Sequence, residues 1–68
     1  MTLQDAFALF RLLGVHPDML SRFEFSEAYR RLAQRYHPDV NPAPAAVELM
    51  AMINAARTEI LQSYQRAI

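Results

Sequence analysis

The 68-residue sequence contains no cysteine, no lysine, no tryptophan and a single glycine. Without cysteine there is no disulfide framework, no thiol nucleophile and no thiolate zinc site. Seven arginines balance seven acidic residues, so the formal charge is zero. That balance excludes a general attraction to nucleic acid or to an anionic membrane surface. No apolar run approaches the ~18 residues of a membrane span. The N-terminus lacks the basic stretch and hydrophobic run of a secretory signal. These absences lead us to expect a soluble, cytoplasmic monomer with neither a nucleic-acid nor a membrane partner. The length leaves room for one domain, residues 1–68. A chain this short buries only about 60% of its unfolded surface, so its stability should be marginal.

What is present favours helix. The apolar fraction is 53%, enough for a packed core, and alanine and leucine dominate it. Leu3, Ala6, Phe7, Phe10 and Leu13 recur at spacings of three and four, which predicts a first helix over 3–13. Thr2 with Asp5 fits its N-cap, and Gly14 fits its stop. Ser21-Arg22-Phe23-Glu24 is a capping box, and Leu20 and Phe25 hold the two positions of a hydrophobic staple. A second helix should follow, burying Phe25, Ala28, Leu32 and Tyr36 and stopping near His37, because Pro38 disfavours helical geometry before it. Pro44 suits the first position of a third helix. Ala46, Leu49, Met50, Ile53, Ala56 and Ile60 carry that helix to about Gln62, with 63–68 left open between continuation and a further short element. The expected core is Phe7, Phe10, Leu13, Phe25, Ala28, Leu32, Tyr36, Leu49, Ile53, Ala56 and Ile60.

The tripeptide His-Pro-Asp occurs twice, at residues 16–18 and 37–39. The first copy sits between a helix stop and a helix start, where Pro and Asp are ordinary loop residues. The second follows a helix carrying Arg30, Arg31 and Arg35, three of the seven arginines within six residues.

The run Tyr-Arg-Arg-Leu-Ala-Gln-Arg-Tyr-His-Pro-Asp-Val-Asn, residues 29–41, resembles the second helix and loop of the J-domain, which defines the DnaJ family of co-chaperones. Phe10 to Val15 is similar to the end of the family's first helix, and Ser21 to Phe25 to the start of its second. Met50, Ile53, Asn54 and Ala56 resemble its third, and Arg66 stands where an arginine leads into a short fourth. The resemblance implies an all-α fold: an antiparallel hairpin of helices two and three, a short first helix packed across it, and little or no fourth helix. It also implies docking on a DnaK-type chaperone and stimulation of its ATP hydrolysis. Position by position, the chaperone-binding residues would be His37, Pro38, Asp39, Tyr29, Arg30, Arg31, Arg35 and Asn41. The ATP site would lie in the partner. No catalytic residue, cofactor or metal is expected in this chain.

The sequence departs from the family in places. Ser26 and Glu27 stand where basic residues are frequent, Val40 where a basic residue usually follows the triplet, and Arg57 where the third helix often has an aromatic. Two other functions compete. One is a degenerate J-like interaction module that stimulates no ATPase, the other a small helical nucleic-acid-binding domain. The second needs a basic stripe that three arginines on a neutral chain do not supply. A metal or catalytic centre built on His16, His37, Asp18 and Asp39 would have to bridge a helix of roughly 20 Å.

Overall fold

Thr2 opens the first helix in the computed structural model, which describes residues 1–66: its hydroxyl accepts from the Asp5 N–H at 3.1 Å. Helix α1 spans Leu3–Leu12. Gly14 follows at φ +85°, the left-handed backbone that ends many helices. The space around its Cα is open, so the backbone angle and not crowding favours glycine. The chain then makes one 3-10 turn, Pro17–Met19, which the periodicity of the sequence does not predict.

Helix α2 spans Arg22–Tyr36. Both bonds of its capping box form: the Ser21 hydroxyl accepts from the Glu24 N–H at 3.1 Å, and the Ser21 N–H donates to the Glu24 carboxylate at 2.9 Å. At the other end His37 takes extended angles (φ −62°, ψ 139°), the geometry its following proline demands. Helix α3 spans Pro44–Arg66 with proline at its first position. The stretch left open by the sequence continues this helix, so Ser63–Arg66 add a last turn. Ala67 and Ile68, on which a small fourth helix also depends, lie outside the described residues.

Three cross-links define the hairpin. Phe25 packs near Tyr64, the Leu20 carbonyl accepts from the Tyr64 hydroxyl, and Tyr29 reaches Asn54. Early residues of α2 thus meet late residues of α3, and the two helices run antiparallel. α1 packs chiefly on α3 and touches α2 through Phe10, whose ring meets that of Phe25 edge-on at 5.0 Å. The architecture is the all-α hairpin with a short packed first helix that the sequence predicts.

Phe10, Phe25, Ile53 and Ile60 are the largest fully buried side chains. Each contributes roughly 1.5–3 kcal/mol through burial. Ala28, Leu32 and Ala56 are buried as expected, and Ala6, Ala46 and Met50 join them. Phe7, Leu13, Tyr36 and Leu49 are half-buried at the edge of the core. On α1 the buried stripe centres on Ala6 and Phe10, four apart, which leaves Phe7 at its margin. The Arg11 guanidinium lies 5.7 Å from the centre of the Phe7 ring and covers part of it.

Candidate functional site

The two His-Pro-Asp copies fold alike locally. In the first, the His16 carbonyl accepts from the Met19 N–H at 3.0 Å. In the second, the His37 carbonyl accepts from the N–H groups of Val40 and Asn41 at 2.9 and 2.8 Å. Proline occupies the second position of each turn, where its fixed φ suits the bend.

Their surroundings differ. Pro17 is buried under α3, and the Tyr64 hydroxyl shares its one proton between the carbonyls of Pro17 (3.1 Å) and Leu20 (2.8 Å). Burial, with the Glu24 and Asp18 carboxylates nearby, pushes the Tyr64 hydroxyl above its usual pKa. Asp18 lies 3.8 Å from Arg11. The first copy is therefore built into the fold. In the second, Pro38, Asp39 and Val40 are all exposed, and their hydrogen bonds stay within the loop. The Asp39 side chain is 88% exposed.

His37 braces that loop from its own ring. Its Nδ1 accepts from the Asp39 N–H at 3.2 Å and lies 3.5 Å from an Asp39 carboxylate oxygen. In this arrangement the Asp39 carboxylate keeps its acceptor sites for an outside donor. Asn41 continues the brace: its side-chain oxygen accepts from the Ala43 N–H at 3.4 Å, a long bond that leads into α3.

The arginines of α2 divide between two flanks, because consecutive helical residues point about 100° apart. Arg30 borders a shallow groove of about 310 Å³ together with Ala33, Gln34, His37, Asp39 and Val40. It also pairs with Glu27 at 3.4 Å. Arg31 borders two hollows beside Leu20 and Ala28, on the side of the 3-10 turn. Arg31 and Arg35 are exposed and form no ion pair or hydrogen bond among the described residues. The sequence cluster is thus one cation beside the triplet and two unpaired cations elsewhere on the helix.

Tyr29 is half-buried, and its hydroxyl turns towards α3, donating to the Asn54 side chain at 2.6 Å. The Arg57 guanidinium lies 4.7 Å from the centre of the same ring. Sequence reading passed over Asn54 and Arg57 as contacts of Tyr29. One signal was available: they are three apart and flank the buried Ile53 and Ala56 on a helix with few charges. Among the described residues no three histidine, aspartate or glutamate side chains converge as metal ligands would. No helix there is long and apolar enough to cross a membrane.

An all-helical module whose exposed His-Pro-Asp turn joins an antiparallel hairpin has the architecture of a J-domain co-chaperone. Sequence comparison agrees: the DnaJ domain family model matches residues 8–68. Chaperone protein DnaJ 1 of Aromatoleum aromaticum is 46% identical over 55 residues, which cover 81% of this chain and 16% of that protein. Chaperone protein DnaJ of Limosilactobacillus reuteri is 46% identical over 56 residues, 82% of this chain and 14% of that protein. Its namesake in Lactiplantibacillus plantarum is 39% identical over 59 residues, 87% of this chain and 15% of that protein. No solved structure matches the chain. The chain belongs to the DnaJ domain family, and it spans about one-seventh of the length of these relatives.

Proposed function

We propose that this chain docks on a DnaK-type chaperone and stimulates its ATP hydrolysis through His37, Pro38 and Asp39. The observation that carries the reading is the contrast between the two triplets. The same three residues occur twice; in the first Pro17 is buried and its carbonyl is held by Tyr64, whereas all three residues of the second are exposed, beside a cationic helix. Pro38 restricts the turn before binding, which lowers the ordering cost on docking. The bond from the Asp39 N–H to His37 holds the Asp39 backbone in place while its carboxylate stays open to an arginine of the partner. Arg30 lies on the same groove, and Tyr29, Arg31, Arg35 and Asn41 extend the contact over α2 and the loop. The chain forms no bond with ATP. It acts by binding the hydrolysis-competent state of the partner more tightly than the resting state, which shifts the population between them.

The test is single-turnover ATP hydrolysis by a DnaK-type chaperone with and without this chain. Wild type should accelerate hydrolysis, and Asp39→Asn should abolish the acceleration while its helical circular dichroism is unchanged. A folded wild type that stimulates none of several such chaperones contradicts the reading and leaves the degenerate interaction module in its place.

A further inference from the structure

The stacked Arg57 points to a contact beyond the triplet and α2. We propose that Arg57 is a specificity-determining residue of the docking face, a cation contributed by α3 and held by Tyr29 for a carboxylate on the partner. The inference rests on the docking reading above.

Four observations support it. Arg57 is half-buried and lies 4.7 Å over the Tyr29 ring, yet it has no ion pair or hydrogen bond among the described residues. The ring is itself fixed, since its hydroxyl donates to Asn54, one turn before Arg57 on the same helix. A guanidinium held over an aromatic ring by its charge still carries N–H donors able to grip a carboxylate. Lastly, Arg30 on the neighbouring groove has an acidic neighbour, Glu27 at 3.4 Å, whereas Arg57 has no such ion pair among the described residues.

Position and order make Arg57 useful. Tyr29, Ala33 and His37 follow one another at four-residue steps along α2. Eight residues of helix place the stacked pair about 12 Å from the triplet. A single partner surface of standard size spans that distance easily. Arg31 and Arg35 must lose side-chain freedom when they bind, whereas the stacked Arg57 has already lost part of it. An arginine ordered in advance discriminates between partners by where they carry their carboxylate. The partner chemistry implied is an acidic side chain about 12 Å, or two helical turns, from the site that receives Asp39.

The experiment measures binding of the 68-residue chain to an ATP-bound DnaK-type chaperone, together with single-turnover stimulation against concentration. Arg57→Phe keeps a flat group on Tyr29 and removes the charge. It should raise the dissociation constant and the half-saturating concentration about tenfold, leave the maximal stimulation unchanged, and flatten the salt dependence of binding. Tyr64→Phe loses a structural hydrogen bond away from the docking face; it should lower the melting temperature and leave affinity within about twofold of wild type. Wild-type affinity and salt dependence in Arg57→Phe overturn the inference. So does an equal loss of affinity in Arg57→Phe and Tyr64→Phe, which marks the effect as one of stability. A wild type that binds no DnaK-type chaperone overturns the docking reading and this inference together, whereas wild-type binding that Arg57→Phe leaves unchanged overturns this inference alone.

Discussion

Tyr64 holds the last turns of α3 against the connection between α1 and α2, with one hydroxyl serving two carbonyls. Tyr64→Phe removes that donor and leaves the Pro17 and Leu20 carbonyls short of a partner, at a cost of about 1–2 kcal/mol. Urea unfolding at neutral pH measures it. Burial raises the hydroxyl pKa above the usual 10.0, so folding favours the neutral form. The stabilisation is therefore complete below about pH 10 and is lost as the pH climbs through the folded value. Tyr64→Phe should lack this alkaline limb, and an unchanged limb would assign it to another group. None of this was legible in the sequence. Tyr64 lies in the stretch left open between helix and a further element, and its partners are backbone carbonyls more than forty positions away. The same holds for Asn54 and Arg57, whose meaning depends on which residue of α2 faces them.

Helix ends, by contrast, were written locally. Thr2 with Asp5, Gly14, Ser21 with Glu24, Pro38 and Pro44 each act within a few residues, and each sits at the boundary its chemistry predicts. The capping box allows a direct check. Ser21→Ala should destabilise the chain by about 1 kcal/mol in urea unfolding. The bonds from the Ser21 backbone and side chain hold the Glu24 carboxyl below its usual pKa of 4.5. Its contribution is thus present above about pH 4.5 and lost as the pH falls through the lower folded value. Ser21→Ala keeps the backbone bond, so the acid limb is tested with Glu24→Gln, which should flatten it; an acid limb identical to that of wild type would assign it to another group. The arginines of α2 show where linear reading fails at this scale. Arg30 and Arg31 are neighbours in sequence, yet one borders the groove beside the triplet and the other the hollows near the 3-10 turn.

For the whole molecule, periodicity was enough to place the hairpin, because Phe25, Ala28 and Leu32 on α2 and Ile53, Ala56 and Ile60 on α3 make one buried seam. The short connection after His37 leaves antiparallel packing as the accessible arrangement. The same packing separates the two triplets into different roles. It buries Pro17 next to Tyr64 of α3 and leaves Pro38 exposed in the loop that joins the two helices of the hairpin. Both turns share the bond from the fourth residue's N–H to the histidine carbonyl, and the second adds bonds to His37 from the N–H groups of Asn41 and Asp39. Tertiary context separates them further, and we propose that the second triplet alone acts on a partner. The most direct measurement compares His37→Gln with His16→Gln in single-turnover ATP hydrolysis by a DnaK-type chaperone. His37→Gln should abolish stimulation and His16→Gln should retain it in full; stimulation that survives in His37→Gln and is lost in a folded His16→Gln would contradict the assignment of the second triplet.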